Sequence, residues 1–207
     1  MAILPILELP NPILRKRAKK VRRIDKSLLK LAYSMIDTLK EASGVGLAAN
    51  QVGELRRVIV IQLPEEDKVR IYINPEIVQR EGEREVEEGC LSIPGYRANI
   101  KRSVWVKFRA LDHSATVVKL KAEDILSQAL EHEVDHLDGI LYIDHMESHE
   151  KLIPIDKDSD ESAFEVVEQQ SEHSPAPTSG SFKETDSGLL VPDAEDSRET
   201  PATLKVK

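Results

Sequence analysis

Residues 123–139 constrain this chain more than any other stretch. They read Glu-Asp-Ile-Leu-Ser-Gln-Ala-Leu-Glu-His-Glu-Val-Asp-His-Leu-Asp-Gly, and Ile125, Leu126, Ala129, Leu130 and Leu137 recur at helical spacing with Gly139 as a stop. A helix with that much apolar surface must be largely buried, yet it carries His132, Glu133, Asp135 and His136. Unpartnered polar groups are expensive to bury, so the fold has to give them partners. Two imidazoles at i and i+4 share a helix face and are able to hold one divalent ion, with the Glu between them in reach of a water. The alternative is a solvated, charged helix face that happens to spell the string.

A catalytic metal site needs a third protein ligand and an open position. Downstream, Asp144 or His145 would supply it in a zincin-like endopeptidase. His145 and His149 also stand at i, i+4, but no Glu follows His145, and an exposed pair is expected. Upstream stands Glu88-Gly89-Cys90-Leu91-Ser92, where Cys90 is the only cysteine. A lone cysteine excludes an internal disulfide. It serves as a soft thiolate ligand, an inert core residue or, in an esterase, a nucleophile.

The rest of the pattern sets the fold class. Leu28, Leu31, Ala32, Met35, Ile36 and Leu39 predict an N-terminal helix, capped by Asp25 or Ser27 and stopped near Gly44. Strands are predicted at residues 57–63, 69–73, 77–79, 104–110 and 117–121. Strands gathered between two helices, without βα alternation, indicate an α+β fold: antiparallel sheets packed around a central metal-binding helix. Between the first helix and the first strand lies Gly44-Val45-Gly46-Leu47-Ala48-Ala49-Asn50-Gln51. Its small residues allow close approach of a backbone, and it lacks the Lys-Ser/Thr of a phosphate loop.

The formal net charge is −8, and residues 151–207 hold 6 Lys+Arg against 13 Asp+Glu, so the acidity belongs to the tail. That stretch is rich in Ser, Thr, Pro and acidic residues and is expected to be disordered, apart from a brief helix near 163–169. Two regions are therefore expected: a catalytic domain over 1–150 and an acidic tail over 151–207. No apolar run suits a membrane span, and the start lacks a signal-peptide pattern, so a cytoplasmic location is expected. The basic run from Arg15 to Arg23 suggests transient contact with ribosomal RNA.

Taken together, the strings Gly44–Gln51, Glu88–Ser92 and His132–His136 resemble the three motifs of peptide deformylases, in the family's order. The resemblance covers roughly residues 3–147. It implies a hydrolase that removes the formyl group from the formyl-methionine of nascent polypeptides and releases formate. By the same resemblance Cys90, His132 and His136 are the metal ligands, with Fe(II) first and Zn(II) second. Glu133 is the general base, and Gln51 and the Leu91 N–H face the developing oxyanion. Gly46 binds substrate backbone. Val45, Ile125 and Ala129 are the residues expected around the methionine side chain. Glu88 is expected to pair with Arg102, and Asp135 to orient a neighbour. A monomer that binds neither DNA nor membrane is expected. Two positions depart from the family pattern: Glu131 replaces the usual Gln, which would put a negative charge beside the metal helix, and Ser103 replaces a frequent Pro.

A non-catalytic binder of formylated chains is the reading from a different class. It would need neither the base Glu133 nor the donor Gln51.

Overall fold

The computed structural model describes residues 2–64, 66–146, 148 and 151–155. The chain divides at Ala163, and all described residues belong to the unit Met1–Ala163. The acidic tail and the helix expected near 163–169 lie outside the described residues.

Helix α1, Lys26–Glu41, begins where the Asp25 side chain accepts from the Leu28 N–H at 2.8 Å. It ends before the expected stop: the left-handed residue is Ser43 (φ 50°), not Gly44. Strands β1 (Gly46–Ala48), β2 (Val58–Ile61), β3 (Arg70–Glu81), β4 (Arg84–Cys90), β5 (Ile93–Arg102), β6 (Trp105–Leu111) and β7 (Val117–Glu123) follow. Helix α2, Asp124–Asp138, comes next, and β8 (Ile153–Pro154) closes the described chain. The strands form two antiparallel sheets, ordered β1-β2-β3-β6-β7 and β4-β5-β8.

Around β2 the larger sheet is covered on both faces, which explains that strand's unbroken apolar run. Val58 and Val60 pack with Leu28, Met35 and Leu39 of α1. Ile59 and Ile61 point the other way, to Ala129, Leu130, Val134 and Leu137 of α2. Alternation along a strand thus feeds two cores at once. A third core, built on Leu14, Ile93, Ala98, Ile100 and Tyr142, lies against the small sheet. At the end of α2, Gly139 adopts φ 79°, and a Cβ there would come within 2.6 Å of the Arg15 carbonyl oxygen. Glycine is therefore required both by conformation and by space.

Other features differ from the sequence reading as well. The strands expected at 69–73 and 77–79 are one strand, β3, interrupted by an irregularity between Ile73 and Glu76, where Asn74 has φ 52°. Strand β5 has no counterpart in the sequence reading, because Pro94, Gly95 and its charged residues mask a burial pattern that places only Ile93, Ala98, Ile100 and Arg102 inside. The fold also continues past Glu150, since Ile153–Pro154 pair with β5 and the Ile155 N–H donates to the Gly95 carbonyl at 2.9 Å.

Candidate active site

Helix α2 presents His132 and His136 on one face, with ring centroids 4.9 Å apart. The end of β4 brings Cys90 to them. Cys90 Sγ lies 3.1 Å from His136 Nε2, and the ligand atoms of all three residues fall within 4.8 Å of one another. A tetrahedral cation with a thiolate at about 2.3 Å and an imidazole at about 2.0 Å separates those two atoms by roughly 3.5 Å, so the cluster has the right size. Among the described residues this is the one such donor group, and it lacks the downstream ligand a zincin-like site would use. His145 Nε2 instead lies 2.8 Å from Asp135 Oδ2, and Asp144 pairs with Arg15. His145 is exposed, as expected, but is tied to the helix; His149 lies outside the described residues.

Behind the ligands runs a buried ionic network. His132 Nδ1 lies 2.7 Å from Glu88 Oε2, which leaves Nε2 for the cluster. Arg102 donates to both Glu88 oxygens, at 2.7 and 3.0 Å, and to Asp135 Oδ2 at 2.6 Å. Burial opposes a charged Glu88, but the bonds from His132 and Arg102 outweigh it and hold its carboxyl at about 2. Burial likewise opposes a charged His132, and its bonds to Cys90 and Glu88 overcome that and raise its pKa well above the usual value. Burial and then the neighbouring His132 push His136 well below it.

Glu133 stands apart from that network. It is buried, its Oε2 has no hydrogen-bond partner, and burial raises its carboxyl to about 7. A Cβ on Gly46 would lie 2.4 Å from Glu133 Oε1, so only glycine at that place in β1 leaves room for the carboxylate. Gln51 is oriented by its own backbone turn: its Oε1 accepts from the Ala48 N–H at 2.8 Å. Its Nε2 thereby faces Ser92 Oγ at 3.2 Å and Cys90 Sγ at 3.7 Å. Asn50 donates to the His136 carbonyl and fixes the helix backbone at the second imidazole.

Val45, Gly46, Gln51, Cys90, Leu91, Ile125, Ala129, His132 and Glu133 all line one cavity of about 330 Å³, and His136 adjoins it through Cys90. Glu87, Glu88, Gly89 and Gln128 complete the lining. Ser92 stands in the Glu88–Ser92 string without a role of its own there, and nothing in the sequence singles out Gln128; their partners, Gln51 and the Glu87 carbonyl, are distant in the chain.

The cavity is flanked by two free strand edges, and hydrogen-bond parity says which residues face it. Just before β1, the Val45 carbonyl accepts from the N–H of Gln62, the residue after β2, at 2.9 Å, continuing the β1–β2 ladder. The next residue, Gly46, therefore turns its N–H and C=O away from β2. In β5, the Gly95 carbonyl accepts from Ile155, so Arg97 also faces β8. Gly89, opposite Arg97, then faces away from β5, as does Glu87 opposite Asn99.

The two departures from the family pattern prove to be one unit. The Ser103 N–H donates to Glu131 Oε2 at 3.0 Å, and Ser103 Oγ donates to Oε1 at 3.0 Å. Arg80 Nε adds a third donor at 2.9 Å. Glu131 thus faces this cluster and is absent from the cavity lining. Proline at 103 would remove both serine donors and leave a 3%-exposed carboxylate with Arg80 alone. Ser103→Pro is expected to destabilise the fold by about 3 kcal/mol in urea unfolding, with more than half restored by adding Glu131→Gln. A loss under about 0.5 kcal/mol, the level of an ordinary surface change, would refute the coupling.

A cysteine, two histidines and a buried carboxylate with one partnerless oxygen, gathered at one cavity, fit the class of metal-dependent hydrolases. The comparisons narrow that class. The polypeptide deformylase family matches residues 3–152. A peptide deformylase of Dehalococcoides mccartyi (strain CBDB1) is 49% identical over 168 residues, which is 81% of this chain and 100% of that protein. The crystal structure of a Legionella pneumophila peptide deformylase superposes with TM-score 0.70 at 37% identity, covering 84% of this chain and 100% of that one. That of Synechococcus elongatus, in complex with actinonin, gives 0.69 at 37% identity over 72% and 81%. The chain belongs to the polypeptide deformylase family, the enzymes that remove formyl groups from nascent polypeptides.

Proposed function

We propose that Cys90, His132 and His136 hold one divalent cation, Fe(II) in the first instance and Zn(II) in the second, and that Glu133 is the general base of formyl hydrolysis. The observation that carries this is the buried carboxylate of Glu133, partnerless at Oε2, on the wall of the cavity that holds the ligand cluster. A thiolate with two imidazoles suits either ion. When bound, such a cation supplies Lewis acidity and lowers the pKa of a water towards ~7.

The remaining work falls to the chain. Glu133 takes the proton of the attacking water and returns it to the leaving amine, one carboxyl serving both steps. Gln51 Nε2 and the Leu91 N–H receive the charge that develops on the formyl oxygen; the first is already aimed by Ala48. Arg102, through Glu88, keeps His132 in the tautomer that offers Nε2. The formyl-Met peptide enters as a strand between the edges of β1 and β4, with Gly46 and Gly89 supplying backbone partners. The methionine side chain is received by Val45, Ile125 and Ala129.

The catalytic region of this reading runs from the N-terminus through about 150, carried to Ile155 by β8, with the acidic stretch beyond it a separate tail. It acts in the cytoplasm as a monomer and touches ribosomal RNA transiently through Arg15–Arg23; no helix among the described residues is long and apolar enough to cross a membrane.

The test is formate release from a formyl-Met tripeptide by protein purified without oxygen, since a thiolate beside iron is prone to oxidation. Release that is lost in Cys90→Ala and on chelation is the expected result. Release that persists after chelation would overturn the metal role, and release retained by Cys90→Ala would remove Cys90 from the ligand set.

A further inference from the structure

Gln128 lies on α2 at the cavity mouth, and its Nε2 donates to the Glu87 carbonyl of β4 at 2.9 Å. That carbonyl is one of the outward-facing groups of the β4 edge, the same edge that Gly89 offers two residues later. An exposed edge pairs with any added strand until something occupies its groups. Here Gln128 occupies the next acceptor along. The cavity wall formed by β4 also stops at Glu87, and Arg84 Nη2 is tied to the Asp124 carbonyl at 2.5 Å, clamping β4 to the start of α2 just beyond.

We infer that Gln128 is a specificity-determining residue that ends the substrate strand: it caps the β4 edge at Glu87, so the enzyme pairs there with one residue of the nascent chain, the one opposite Gly89. This rests on the strand-insertion seat proposed above. A peptide running antiparallel to β4 would bring its amide to the Glu87 carbonyl two residues after the one paired with Gly89. With that acceptor taken, residues from there onward go unread, which suits an enzyme that must accept chains of every sequence.

The experiment uses formyl-Met peptides lengthened one alanine at a time, assayed for formate release by the metal-loaded full chain. The wild type is expected to gain kcat/KM up to the residue paired with Gly89 and then level off. Gln128→Leu keeps much of the side chain's bulk and frees the carbonyl. It is expected to show one further rise of about two- to tenfold when the residue facing Glu87 is added, the worth of one net hydrogen bond. The rise should fall in KM rather than kcat, as for binding shared by ground and transition states. N-methylation of that residue's amide should abolish it. Gln128→Ala, which removes the donor differently, should behave alike. Identical length profiles in wild type and both variants would overturn the inference, as would a rise that survives N-methylation. Formate release from no peptide by the wild type would instead overturn the catalytic reading beneath it.

Discussion

Glu133→Ala is expected to lower kcat by about 10²–10⁴-fold while leaving metal content and fold unchanged, the range that general acid–base catalysis contributes. The side chain has no structural partner at Oε2, so removing it strands no group there. Its other oxygen lies 2.4 Å from where a Gly46 Cβ would sit, packed against the glycine, so alanine opens space there. Metal analysis after dialysis separates this outcome from loss of the ion, and a circular dichroism melt separates it from unfolding. Activity within about tenfold of wild type would move the base elsewhere. The pH profile carries a second check. Burial sets the carboxyl near 7 in the metal-free protein, and a cation beside it favours the charged form. A base must be ionised, so the acid limb of kcat/KM should lie between the ordinary value of 4.5 and about 7, with activity falling as pH drops through that interval.

What was legible in the sequence was whatever the chain places close together. The ligand pair His132 and His136 follows from helix periodicity, and the run of β2 announces burial on two faces because Val58 to Ile61 are all apolar. The resemblance added Cys90, which spacing by itself leaves as an inert cysteine. Features that depend on distant partners stayed hidden. Strand β5 looks like a loop because Pro94 and Gly95 open it, yet Ala98, Ile100 and Arg102 alternate inward once β4 and β8 flank it. Glu131 and Ser103 read as two unrelated departures 28 positions apart, and only the fold joins them. Gln128 carried no signal because its partner is a carbonyl of another strand, and any side chain of similar reach would spell a different letter there.

Arg102→Met is expected to destabilise the fold by about 3–5 kcal/mol, because it breaks a buried ion network by removing one partner. The guanidinium has 3% side-chain exposure and answers two carboxylates, Glu88 and Asp135, at 4% and 11%. Methionine preserves most of the apolar stem, so the loss reports stranded charge rather than a cavity. Urea unfolding of the metal-free protein measures it. Adding Glu88→Gln and Asp135→Asn to the Met variant should recover part of the loss, whereas pure packing damage would not respond. A cost below about 1 kcal/mol would show the network to be dispensable. The same variant should bind its metal about 10–100-fold more weakly, since Glu88 would no longer be held against His132. The sign of the pH effect follows from Glu88. Its folded value of about 2 lies below the ordinary 4.5, so its contribution is complete above pH 4.5 and is lost as pH falls through 2. Without Arg102 one of the two bonds holding that value down is gone. The folded value then rises towards the ordinary one, and acid unfolding of the variant should begin at higher pH than in the wild type.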